Sequence, residues 1–281
     1  MKPLRVLLVH RDNDNYRNLT GWWSYPVPEF TWHTKKVPPI NFSAWVDPQA
    51  YDLAVLDDWI FGDLTLSGVP LAYVVVDSAR SAEQLARNLR QARQARLILV
   101  DSDDLSKFPA PARRFAYAVN ERLYCPRPKT YDVAFLCWPT PARRIVCDQA
   151  RQICERHGWS FLTGTYPNFR EYAAAIGSAR VVIHKAHVEQ ARSWRVFDVM
   201  ASRGALLSSP LPTVSRDGIV KGVHYTEYRE EAELEHELER LLAGDAWEEI
   251  AEAGYRHVLE HHTWSVRAKE LREMLSKELG L

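Results

Sequence analysis

The feature that most constrains this chain is a short apolar run that recurs through its first half and ends in a polar residue each time. The runs are Leu4–His10 (LRVLLVH), Tyr51–Asp58 (YDLAVLDD), Leu71–Asp77 (LAYVVVD) and Arg96–Asp101 (RLILVD). Runs this short, with no polar alternation, do not suit a sheet with one wet face. They suit parallel strands covered by helices on both sides. Between them, Ser81–Ala95 places Leu85, Leu89 and Ala92 on one face and arginines elsewhere, which predicts an amphipathic helix with Ser81 as N-cap. Residues Gly21–Pro48, rich in Trp, Pro and Thr, give no clear period.

The alternation stops at the proline-bearing stretch Asn120–Lys129 and then restarts. Tyr131–Cys137, Ser160–Leu162, Ala179–His184, Gly204–Ser208 and His224–Thr226 read as strands. Ala142–His157, Tyr166–Ile176 and Ser193–Ser202 read as helices, and three more helix-like stretches follow at Arg229–Ala243, Trp247–His262 and Trp264–Leu279. The expected fold class is α/β: two Rossmann-like, doubly wound domains facing across a cleft, with a helical tail. The expected domains are residues 1–125 and 126–281, the second including the closing helices. In such folds ligands bind beyond the carboxyl ends of the strands.

Composition excludes other classes. The chain has 281 residues, 36 Lys+Arg against 36 Asp+Glu, and a formal charge of zero, so it lacks a general electrostatic grip on nucleic acid or an anionic membrane. Its apolar runs are too short to span a bilayer, and MKPLRVLLVHRDND lacks the form of a signal peptide. Cys125, Cys137, Cys147 and Cys154 form no CxxC pair, and a reduced, cytoplasmic protein is expected. The charge is unevenly spread. Lys and Arg outnumber Asp and Glu two to one between Arg127 and Lys221, and the balance reverses from Glu227 onward. Either the basic stretch meets a phosphate-bearing ligand or the acidic helices neutralise it.

The segment His184–Pro212 carries the most chemistry. Arg192 and Arg195 precede or open a helix at Val196–Phe197. A helix N-terminus with forked arginine donors beside it attracts a diphosphate. Asp198 follows in the same helix; it either accepts hydrogen bonds from ribose hydroxyls or complements the helix dipole. Arg143 and Arg144 sit at another expected helix start, within reach of ligand phosphates or on a solvated surface. His184 ends the preceding strand, as a structural histidine or as one that faces the cleft.

The run RSWRVFDVMASRGALLSSPLP resembles the segment R-x-F-E-x-x-A-x-G-x-x-L of CgeB-like glycosyltransferases, the spore-maturation type of the "glycosyl transferases group 1". YDVAFLCWPTPARR is similar to that family's D-V-x-F-x-G … R opening, and the last helices, through HHTWSVR, are similar to its closing HT-x-x-R. The resemblance covers roughly residues 121–275. It implies a GT-B enzyme that moves a sugar from a nucleoside diphosphate, UDP above all, without a metal or other cofactor. On that reading Arg143, His184, Arg192, Arg195, Val196, Phe197 and Asp198 hold the donor. Asp198 stands where many relatives have glutamate, Gln190 where retaining relatives have a second glutamate, and Cys137 where a glycine is frequent.

For the acceptor side, His10, Asp12 and Asp58 at strand ends are candidate bases, or alternatively polar caps. Trp22 and Trp23 are a candidate aromatic platform, or alternatively core. The nearest match to a metal-binding Asp-x-Asp is Asp12-Asn13-Asp14, and it lacks donor-site context. The expected partner is a nucleotide sugar; sugar, lipid, protein and modified DNA base all stay open as acceptor. The alternative is a catalytically degenerate GT-B-fold protein that binds a ligand or plays a structural part.

Overall fold

The computed structural model describes residues 2–11, 27–37, 42–57, 64–75, 82–100, 105–109, 111–116, 118–166, 168–186 and 193–281. The chain divides into two compact units, Met1–Tyr117 with Trp264–Leu281, and Ala118–Thr263.

In the first unit, β1 (Leu4–Arg11), β2 (Phe30–Val37), β4 (Leu53–Asp57), β6 (Leu71–Val75), β7 (Leu97–Val100) and β8 (Ala112–Arg114) form one sheet in the order β2-β1-β4-β6-β7-β8. Every pairing is parallel. A separate parallel pair joins β3 (Phe42–Trp45) to β5 (Leu64–Ser67). The apolar runs are strands because both sheet faces are covered: all five residues of β6 are buried. On one face Leu7, Val9, Leu56, Tyr73 and Ile98 cluster with Leu85 and Leu89 of α1 (Ala82–Ala92). On the other, Phe30, Trp32, Leu53, Val55 and Leu99 share an apolar seam with Leu271 and Leu275 of the closing helix, Trp264–Leu279. That helix was expected in the second domain. Its leucines instead cover the first unit's sheet, and the chain crosses between units at Tyr117–Ala118 and again at Thr263–Trp264.

The second unit is a parallel sheet of β9 (Tyr131–Leu136), β10 (Phe161–Gly164), β11 (Ala179–His184), β12 (Ala205–Ser208) and β13 (Thr226–Glu227), in the order β10-β9-β11-β12-β13. Its helices are α2 (Pro141–His157), α3 (Phe169–Gly177), α4 (Trp194–Ala201), α5 (Glu231–Leu242) and α6 (Ala246–His261). Val133, Phe135, Val181, Ile183 and Leu207 pack against Val146, Ala150 and Ile153 of α2 and Leu234, Leu238 and Leu241 of α5. Local signals set the helix ends. Thr140 caps α2, with Pro141 in its first turn, and Gly158 ends it at φ 68°. Asn168 caps α3 through Glu171 N. The left-handed residue that stops α4 is Arg203, at φ 52°, rather than the following glycine; its side chain pairs with Glu252 at 2.8 Å.

Lys129 ties α3 to α4. Its Nζ donates to Gly177 O at 3.0 Å and Ser202 O at 3.1 Å, the carbonyl ends of the two helices. Burial, with a smaller push from Arg203, brings its pKa down to about 8. The folded protein therefore releases this proton before the unfolded chain does, so stability rises with pH between about 8 and the free-lysine value of 10.5. Denaturant titrations across that window are expected to show the rise in the wild type and its loss in Lys129→Met. Parallel pH curves for the two proteins would contradict it.

Candidate functional site

Strand order in the second unit reverses between β9 and β11, so the crevice of that sheet lies at their carboxyl ends. Those ends are pinned by hydrogen bonds. Ser209 N donates to His184 O at 2.9 Å, Tyr228 Oη donates to the same carbonyl at 3.3 Å, and Ala186 N donates to Ser209 Oγ at 3.1 Å.

Arg195, in the first turn of α4, reaches two neighbours. Its Nε donates to Tyr172 Oη at 2.9 Å, and its Nη1 lies 3.2 Å from His184 Nδ1. A guanidinium only donates, so His184 accepts through Nδ1 and carries its proton on Nε2. His184 is 0 % exposed. Its burial first, and then the charges of Arg195, Arg143 and Lys185, hold its pKa well below the usual histidine value, so the ring is neutral. Among the described residues its Nε2 is buried with no hydrogen-bond partner. The result is a neutral N–H donor fixed at a strand end beside a cation.

Arg143 comes from the other side of the reversal point. Its backbone N donates to the capping Thr140 Oγ1, and its Nε donates to Lys185 O at 3.1 Å, so the first turn of α2 is joined to the end of β11. The Cys137 thiol, just past β9, feels both arginines, which oppose the upward push of burial on its pKa. Arg143, His184, Lys185 and Arg195 thus converge on one strand edge. The N-cap Ser193 makes no side-chain cap bond, which leaves the start of α4 without that internal acceptor.

Asp198 lies one turn beyond Arg195 on α4 and is 8 % exposed. Burial pushes its carboxyl pKa well above the usual value, against the pull of Arg195. Val196 and Phe197 are buried in the core, so any contact they make with a ligand runs through the main chain, where the Val196 N–H is already given to Ser193 O at 3.1 Å.

In the first unit the order reverses between β1 and β4, with Val9 opposite Leu56. His10 in β1 therefore stands beside the carboxyl end of β4, although its side chain lies outside the described residues. Asp12, Trp22, Trp23, Asp58 and Arg192 lie outside them altogether. Sequence reasoning missed Tyr172, which aims Arg195, and Lys129. A helical period shows which face is buried, not which side chain a tyrosine will meet. Among the described residues no group of three or more His, Cys, Asp or Glu is placed to hold a metal ion, and no helix is long and apolar enough to cross a membrane. The four cysteines are free.

Comparison with known proteins gives this geometry a context. Residues 135–273 match the family model described as glycosyl transferase-like. Among curated proteins none matches. Solved structures do. The sucrose-phosphate synthase of Thermosynechococcus elongatus has a TM-score of 0.64 at 10% identity, covering 99% of each chain. Anabaena HepE in complex with UDP-glucose has a TM-score of 0.66 at 11% identity, covering 98% of this chain and 100% of that one. The same protein in complex with UDP and glucose has a TM-score of 0.64 at 10% identity, with the same coverage. The chain has the GT-B fold of glycosyltransferases, built from two Rossmann-like units, and carries a glycosyl transferase-like domain over residues 135–273.

Proposed function

We propose that this protein transfers a hexose from a nucleoside diphosphate, UDP before others, to an acceptor, in the manner of the CgeB-like enzymes. The observation that carries the reading is the convergence of Arg143, Arg195 and the neutral His184 N–H donor on the reversal point of one parallel sheet. UDP and UDP-glucose bound to a GT-B protein of the same fold support the choice of donor.

In this reaction the bond from the anomeric carbon to the donor phosphate oxygen breaks, and its electron pair stays on the diphosphate. The acceptor oxygen bonds to the anomeric carbon, and its proton passes to a base. Arg195, Arg143 and the start of α4, with Arg192 beside it in sequence, face the diphosphate and stabilise that charge as it grows. His184 adds a donor without adding a charge. Asp198 takes the ribose hydroxyls. His10, Asp12 and Asp58 are the candidate bases, and Trp22 and Trp23 the candidate acceptor contacts. The fixed cations supply what a divalent ion supplies elsewhere, so no metal is needed. Free cysteines suit a cytoplasmic setting.

Calorimetric titration with UDP and UDP-glucose, followed by assay of UDP release, tests the reading. Binding and turnover are expected to be the same with and without EDTA. Loss of turnover in EDTA, restored by manganese, would overturn metal independence; absence of UDP binding would overturn the donor assignment. Gln190 in place of the second glutamate favours one rival, a degenerate protein that binds the nucleotide but never releases it from a sugar.

A further inference from the structure

Trp138 is 71% exposed, the most exposed large apolar side chain among the described residues. It follows Cys137 at the carboxyl end of β9, on the strand beside β11. The turn that carries it is stiff. Thr165 Oγ1 donates to Cys137 O at 3.3 Å, Thr140 N donates to Trp138 O at 3.1 Å, and Pro139 and Pro141 fix the backbone that follows it. Single exposed apolar residues are ordinary. An exposed indole at the carboxyl end of a strand that borders the sheet's reversal point is a different case, because ligands of open parallel sheets bind there.

We propose that the Trp138 indole is the stacking platform for a pyranose ring. The inference rests on the donor reading above. On that reading Asp198 takes the ribose and Arg195 and Arg143 the diphosphate, so the nucleoside lies toward α4 and the sugar toward the connection from β9 to α2, which carries both Trp138 and Arg143. An aromatic face carries partial negative charge and packs against the C–H-rich face of a sugar, whose hydrogens are partially positive. The ring belongs either to the donor hexose or to a saccharide acceptor.

The test compares the wild type with Trp138→Ala and Trp138→Phe by calorimetry, using UDP, UDP-glucose, and maltose with UDP present. UDP affinity is expected to be the same in all three proteins, since UDP carries no hexose. The alanine variant is expected to lose about tenfold for one sugar ligand, the order of one stacked ring, and the phenylalanine variant to keep most of it. A loss confined to UDP-glucose assigns the donor hexose; a loss confined to maltose assigns the acceptor. Equal sugar affinities in the wild type and the alanine variant, or sugar ligands that add nothing to UDP in the wild type, overturn the platform. A wild type blind to UDP overturns the donor reading instead, and maltose alone, titrated into the wild type and the alanine variant, then decides the platform.

Discussion

Replacing Arg195 by alanine is expected to weaken UDP binding by about 1.5–3 kcal/mol, the range of a hydrogen bond to a charged group. Two further costs follow from the geometry. Tyr172 Oη loses its donor, and His184 Nδ1 becomes a buried acceptor with nothing to accept from. Unsatisfied buried groups cost about 1–3 kcal/mol each, so some loss of stability accompanies the loss of affinity. Tyr172→Phe separates the two, because it removes the partner of Nε while keeping the guanidinium. Affinity in that variant should fall by about 1 kcal/mol or less, the worth of one neutral-partner bond. The pH profile adds a third readout. Part of the depression of the His184 pKa comes from the Arg195 charge, so in Arg195→Ala that pKa moves back toward the usual value. Melting temperature and UDP affinity measured on the same variants decide the matter. An Arg195→Ala protein that stays folded and binds UDP as the wild type does would remove Arg195 from the site.

Trp264→Ala is expected to lower stability by about 3–5 kcal/mol, the cost of truncating a large buried ring. Trp264 is 0 % exposed and opens the closing helix, its ring centroid 6.2 Å from that of Trp32 on β2. The loss falls on the first unit, where the closing helix covers one face of the sheet. UDP affinity, which the proposed function assigns to the second unit, should be unchanged at temperatures where the variant is folded. A change below about 1 kcal/mol in denaturant unfolding, the level of an ordinary surface substitution, would contradict this packing.

The central strands were legible because burial on both faces forces continuous apolar runs. Leu53–Asp57, Leu71–Val75 and Leu97–Val100 fall inside the stretches read from sequence, and so do Tyr131–Leu136 and Ala179–His184. β2 was missed. Its sequence, FTWHTKKV, lies at a sheet edge with one strand neighbour, where lysines are tolerated and the apolar signal thins. Among the described residues β3 and β5 pair only with each other, and each is four residues long, too short for a period to show. In the candidate site, the His184–Asp198 segment stood out through residue types at a helix start. Tyr172, which meets Arg195, and Lys129, which joins the ends of α3 and α4, come from elsewhere in the chain and are defined only once those helices are assembled. The closing helix was misplaced for a similar reason: an amphipathic helix shows that it must cover something, not which sheet it covers.

The two crossings of the chain have a consequence for synthesis. The first unit is built from both ends of the sequence, and the second is complete within Ala118–Thr263. A ribosome therefore delivers the first six-stranded sheet long before residues 264–281, which cover one of its faces. Domains usually fold in the order in which they emerge. Here the later unit has all its residues first, and the earlier one waits with Phe30, Trp32, Leu53, Val55 and Leu99 bare until the last helix arrives. During that interval the nascent chain is a natural client for chaperones that hold apolar surface, and slow synthesis through the middle of the message lengthens the exposure.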